Sequence, residues 1–195
     1  MVNFVVLLKT DIVDIRCKKV ILGGKQMATI TIIKKKYEGS WAIENVLAYC
    51  DRMYDYAGGY GIDGCYANSA CSDMINIKNK FKKYSGKQLY RMIITVENLY
   101  DSNGNRLSDQ LEYADSFVCS IARHVSNNIG KMGFQNCYFS KIVNNSHIQF
   151  HFVINTTSYV DGRSICSLKD VQLMVLKDME RTYPQFQWEA NYINA

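Results

Sequence analysis

The sequence predicts an α+β domain, a central antiparallel sheet of about four to five strands with helices packed mainly on one face. Three observations carry that expectation. Apolar residues alternate or run on through β-branched stretches at 27–33, 88–97, 134–144 and 146–157. Over 43–57, 69–83, 108–131 and 167–182 they recur instead every three or four residues, the period of a half-buried helix. The two kinds of segment are interspersed without a β-α-β repeat, which favours antiparallel pairing.

The first strand follows Gly23-Gly24 and starts at Met27, with Ala-Thr-Ile-Thr-Ile-Ile after it. Residues 1–26 read as an N-terminal extension or a misassigned start, and 27–195 as one domain. The apolar patch Phe4 to Leu8 lacks the preceding basic residue and the small-residue cleavage pattern of an export signal. In the first helix Ile43, Val46, Leu47, Cys50, Met53, Tyr54 and Ala57 form one stripe, and Gly58-Gly59 supplies its stop. Tyr49 falls off that stripe. A second helix is expected over Ser69–Lys83, closed by Ser85-Gly86, and the nearly continuous apolar run 88–97 reads as a central strand. After a turn at 101–105, the stripe Leu111, Ala114, Val118, Ile121, Ala122, Val125, Ile129 and Met132 marks a long helix from about Ser108. Phe134–Asn144 and Ser146–Thr157 read as a hairpin around Asn144-Asn145. A last helix is capped by Ser167 and stops before Pro184.

Composition bounds the function classes. With 195 residues, 48% of them hydrophobic, the chain can bury one sizeable core. A single proline and 12 glycines exclude a collagen-like or linker-rich chain. No apolar run approaches the ~20 residues of a membrane-spanning helix. Seven cysteines cannot all pair internally, which points to a reduced, cytoplasmic protein. Cys65 and Cys71 lack the spacing of a zinc site, and neither a phosphate-binding glycine loop nor a hydrolase elbow occurs. The net charge is +5, of which residues 1–26 contribute +3 from five basic and two acidic residues. Elsewhere the basic residues gather at Lys34-Lys35-Lys36 and at Lys78, Lys80, Lys82, Lys83 and Lys87. Such runs suit phosphates and also read as solvated faces.

The segment His147-Ile-Gln-Phe-His151-Phe-Val-Ile-Asn155 carries the candidate chemistry. On a strand Ile148, Phe150, Phe152 and Ile154 turn to one face, while His147, Gln149 and His151 turn to the other, with ~7 Å between alternate Cα atoms. Two imidazoles at that spacing can converge on one ion or phosphate, although half-exposed strands also carry histidines with no such role.

That segment, continued through Thr-Thr-Ser-Tyr-Val-Asp-Gly162, resembles the motif of the MOBP-type relaxases, mobilisation nucleases of the His-hydrophobic-His (HUH) endonuclease superfamily. The family reads His-Ile-His-Asn-His-Phe-Val-Ile-Asn-Ser-Val, followed by a turn. Other segments match in order: Ser40-Trp-Ala-Ile-Glu-Asn-Val-Leu-Ala-Tyr49, where these relaxases carry a helix tyrosine; Gly64-Cys-Tyr-Ala-Asn68 before a lysine-rich helix; Lys87-Gln-Leu-Tyr-Arg-Met-Ile93; and Ser108-Asp109 at the long helix. The resemblance spans about residues 27–183. It implies a single-stranded DNA-binding domain that nicks and rejoins DNA at a transfer origin, in plasmid or integrative-element mobilisation and alongside other mobilisation proteins. Tyr49 would be the nucleophile, with Tyr54 and Tyr56 close enough to substitute. His147, Gln149 and His151 would hold a divalent metal, Mg or Mn, that polarises the phosphate. Arg52, Lys78, Lys82, Lys83, Lys87 and Arg91 would meet the DNA. The chain departs from the pattern where the family has two further histidines and an aspartate, at Ile142, Gln149 and Asn144. A glutamine oxygen can ligate Mg²⁺ or Mn²⁺, whereas isoleucine cannot. The alternative implied is a degenerate, non-catalytic DNA-binding or mobilisation accessory protein.

Overall fold

The β-branched run after Gly24 forms a strand because every second side chain finds an apolar layer. Ala28, Ile30 and Ile32 are buried against Met92, Ile94 and Val96 of the strand beside them. The computed structural model describes residues 26–39, 41–52, 56–63, 67–97, 111–143 and 147–194. Its elements in chain order are β1 (Gln26–Lys34), α1 (Ala42–Asp51), β2 (Tyr56–Tyr60), α2 (Ala67–Lys80), β3 (Leu89–Glu97), α3 (Leu111–Lys131), β4 (Phe134–Val143), β5 (His147–Ser158), α4 (Leu168–Thr182) and β6 (Phe186–Asn194). The turns expected at 101–105 and 144–145, and the extension apart from Gln26, lie outside the described residues.

The α+β class holds, with more strands than expected. Six strands form one mixed sheet in the order β2-β4-β5-β3-β1-β6. β6 pairs in parallel with β1, Ile30 facing Ala190, and the other pairings are antiparallel. The expectation of helices mainly on one face is corrected. α3 and α4 cover one face through Ile121, Ala122, Val125, Ile129, Val171, Val175 and Met179. α1 and α2 cover the other through Ile43, Leu47, Cys50, Ala67, Ala70 and Met74. Strands buried on both faces need apolar residues in both registers, and Cys137, Phe139 and Val153 supply the second set.

The first helix is shorter than its stripe. It ends at Asp51, and Gly58-Gly59, expected to stop it, lie instead in the edge strand β2, paired with β4. Gly58 and Gly59 act by allowing close approach. A Cβ on Gly58 would collide with the Tyr138 phenol, and one on Gly59 with Ile62 and the Asn136 carbonyl. At the end of α3, Gly133 takes a φ of +91°, the left-handed termination open to glycine without strain. Ser167 caps α4 as expected, its Oγ accepting from the Asp170 N–H at 3.3 Å. α3 and α4 are clasped by His124, whose Nε2 lies 2.5 Å from Asp178 Oδ2. No helix among the described residues is long and apolar enough to cross a membrane.

Candidate functional site: a guanidinium between a phenol and an imidazole

The sheet register brings the site together. Arg91 of β3 faces Val153 of β5, and Ile93 faces His151, so Arg91 and His151 are diagonal neighbours on the face covered by α1 and α2. Arg91 Nη2 donates to His151 Nδ1 at 2.9 Å. His151 Nε2 lies 3.3 Å from Gln149 Oε1, one step further along the same face. From the helix above, Tyr49 stands beside the same guanidinium, with Arg91 Cζ 5.5 Å from its ring centroid. Being off the apolar stripe of α1 leaves Tyr49 49% exposed, while its neighbour Cys50 is buried.

These contacts dictate protonation. A guanidinium only donates, so His151 Nδ1 must accept, and the neutral ring carries its hydrogen on Nε2, directed to Gln149. Burial, and then the Arg91 charge, push the His151 pKa down to about 4. Burial likewise raises the Cys50 thiol to about 11, only partly offset by Arg91. Arg91 Nε is itself buried and has no acceptor among the described residues. Leaving a buried donor unpaired costs roughly 1–3 kcal/mol.

The donor set therefore suits an anion and fits a divalent metal poorly. A metal ligand must offer a lone pair. His151 gives its own to Arg91, and a fixed positive charge stands beside it. Among the described residues no three His, Cys, Asp or Glu side chains gather as a metal cluster. His147 lies beyond Gln149 on the same strand face, with Glu97 opposite it in register.

The remaining sequence candidates scatter. Arg52 is exposed at the end of α1. Lys82 and Lys83 are exposed in the turn after α2, Lys82 with φ +57°. Lys78 is corrected from a surface contact to a buried group. Only 4% exposed, its Nζ donates to Thr156 Oγ1 at 2.8 Å and Thr157 Oγ1 at 3.4 Å, and burial lowers its pKa to about 8. Lys87 is half-buried, its Nζ 4.2 Å above the Tyr90 ring centroid. Tyr54 and Asn144 lie outside the described residues, as do the side chains of Tyr56 and Ile142; the backbone pairs Ile142 with Ile148.

Sequence reasoning singled out Arg91 as a DNA contact but missed its bond to His151. The signal present was alternation, which puts Arg91 on one face of its strand; the missing part was which strand lies alongside. Comparison with protein-family models, curated proteins and solved structures returned no match.

Proposed function

We propose that this domain binds single-stranded DNA as a relaxase-like protein, nicking and rejoining a phosphodiester at a transfer origin through Tyr49, in the mobilisation of a plasmid or integrative element. One observation carries the reading: an exposed phenol beside a guanidinium held in place by a neutral imidazole, its Nε–H without an acceptor among the described residues. A phosphate seated on Arg91 would lie near the Tyr49 side chain, whose ring centroid is 5.5 Å from the guanidinium carbon. In-line attack forms the phosphotyrosine P–O bond and breaks the bond from phosphorus to the 3′-oxygen, the phenol proton passing through solvent to that oxygen. Arg91 offsets the charge that builds on the equatorial oxygens, the role the resemblance assigns to a metal. The phosphotyrosine conserves the ester, so attack by a 3′-hydroxyl reverses the step.

A second reading, binding without cleavage, is favoured by the state of His151. Its acceptor nitrogen is taken by Arg91, so it is no base for the phenol at neutral pH.

The test incubates the protein with single-stranded oligonucleotides in Mn²⁺ or in chelator, and follows covalent adducts on denaturing gels. The expected result is an adduct under both conditions, abolished in Tyr49→Phe and reduced on the order of 10²–10³-fold in Arg91→Met. Salt-sensitive binding with no adduct in either condition establishes the second reading. An adduct in Mn²⁺ alone overturns the role given to Arg91, and absence of binding at low salt overturns both readings.

A further inference from the structure

Across the sheet from Arg91 lies a cleft of about 470 Å³ where the ends of β1 and β6, the start of β3 and the first turn of α4 meet. Tyr90, Ile32 and Tyr192 turn to the face opposite Arg91, while Ile33, paired with Arg91, borders the cleft at the end of β1. Five lysines line it: Lys34, Lys35, Lys36, Lys87 and Lys169. Among the described residues no acidic side chain lines it; Glu38, close enough to hold the Lys87 pKa up slightly against burial, stands outside it. Two rings complete the wall. Tyr192 is 41% exposed with Lys34 Nζ 4.6 Å from its centroid, and Tyr90 carries Lys87 Nζ at 4.2 Å.

Five ammonium groups around one cavity repel each other and concentrate positive potential inside it, which attracts a polyanion. A bare anion would engage the lysines alone, drawing Lys34 and Lys87 from the ring faces they now cover. A ring-bearing phosphate would use both, its phosphates drawing the lysines and its base stacking on tyrosine. The volume is within the range of small-ligand pockets.

We infer that this cleft binds a nucleotide unit, phosphates on the lysine cluster and base against Tyr192, as a free nucleotide or as one residue of a single strand. The inference stands apart from the Tyr49 chemistry and survives its failure.

Titration calorimetry of the full chain with ADP, with pyrophosphate and with a ten-residue thymidine oligonucleotide tests it. Stacking is worth ~1–3 kcal/mol per base, so ADP should bind at least about five-fold tighter than pyrophosphate. Tyr192→Ala should erase that advantage, and Lys35→Ala with Lys169→Ala should weaken both ligands. ADP binding that keeps its dependence on Tyr192→Ala in the Arg91→Met background separates this cleft from the Tyr49 site. Oligonucleotide binding that falls with Tyr192→Ala in the Arg91→Met background identifies the strand as the source; ADP binding alone identifies the free nucleotide. Pyrophosphate equal to ADP, binding indifferent to Tyr192→Ala, or no heat with any of the three at low salt overturns the inference. Thermal melting of each variant confirms that the fold is intact.

Discussion

The two faces of β5 divide one strand between two tasks. Ile148, Phe150, Phe152 and Ile154 enter the apolar layer beneath α3 and α4, and all are buried. On the opposite face His151 meets a charged guanidinium, Gln149 is half-buried beside it, and further along Asn155 donates to the Met74 carbonyl and to Gln135 Oε1. The contrast teaches that the polar site is held from behind. An apolar face fixes the position of the strand, and the alternation of side chains then aims the imidazole.

The largest effect expected from this contrast is on the apolar face. Phe150→Ala removes a fully buried ring next to His151 in sequence and should cost about 3–5 kcal/mol in denaturant unfolding. If the division of labour is real, the residual folded protein still binds oligonucleotide through Arg91; a loss of binding larger than the loss of folded protein would break the comparison.

A smaller effect, read by pH, belongs to the other face. The His151 pKa is about 4 when folded against an ordinary 6.5, so the unfolded chain takes up a proton between these values that the native state refuses. The stabilisation is complete above pH 6.5 and is lost as pH falls towards 4, on the order of 3 kcal/mol. Urea unfolding across that window should show a dependence that His151→Gln removes. An unchanged slope in the variant would assign the dependence to other groups.

The smallest expected effect lies off the sheet altogether. Ser167→Ala removes the N-cap of α4 and should cost ~1 kcal/mol, without altering the pH dependence assigned to His151.

Much of this architecture was legible in local pattern. The 3.6 period placed α2, α3 and α4, Ser167 marked a true cap, and alternation in 147–155 assigned Ile148, Phe150, Phe152 and Ile154 to the core face. Three features were not legible, each for a physical reason. β6 carries Phe186, Trp188 and Ala190 in alternation, but Pro184 and a polar composition hide it until a neighbour is known. Gly58-Gly59 is a helix stop by propensity and a strand by contact, because Tyr138 and Ile62 fill the space a side chain would take. Lys78 reads as solvated in a lysine-rich helix, yet two threonines of β5 draw its amine inward. Within the site, alternation showed which residues share a face; only the β3–β5 register revealed that Arg91 neutralises the lone pair a metal would need.

β1 and β6 join distant parts of the chain: Gln26 pairs with Phe186 and Lys34 with Asn194. During synthesis the first strand must wait, one flank bare, while nearly all of the domain emerges after it. Closure of so long an interval is slow, and an uncovered hydrogen-bonding edge invites pairing with a second nascent chain. The exposure of that edge therefore lasts until β6 has been made and docks on β1.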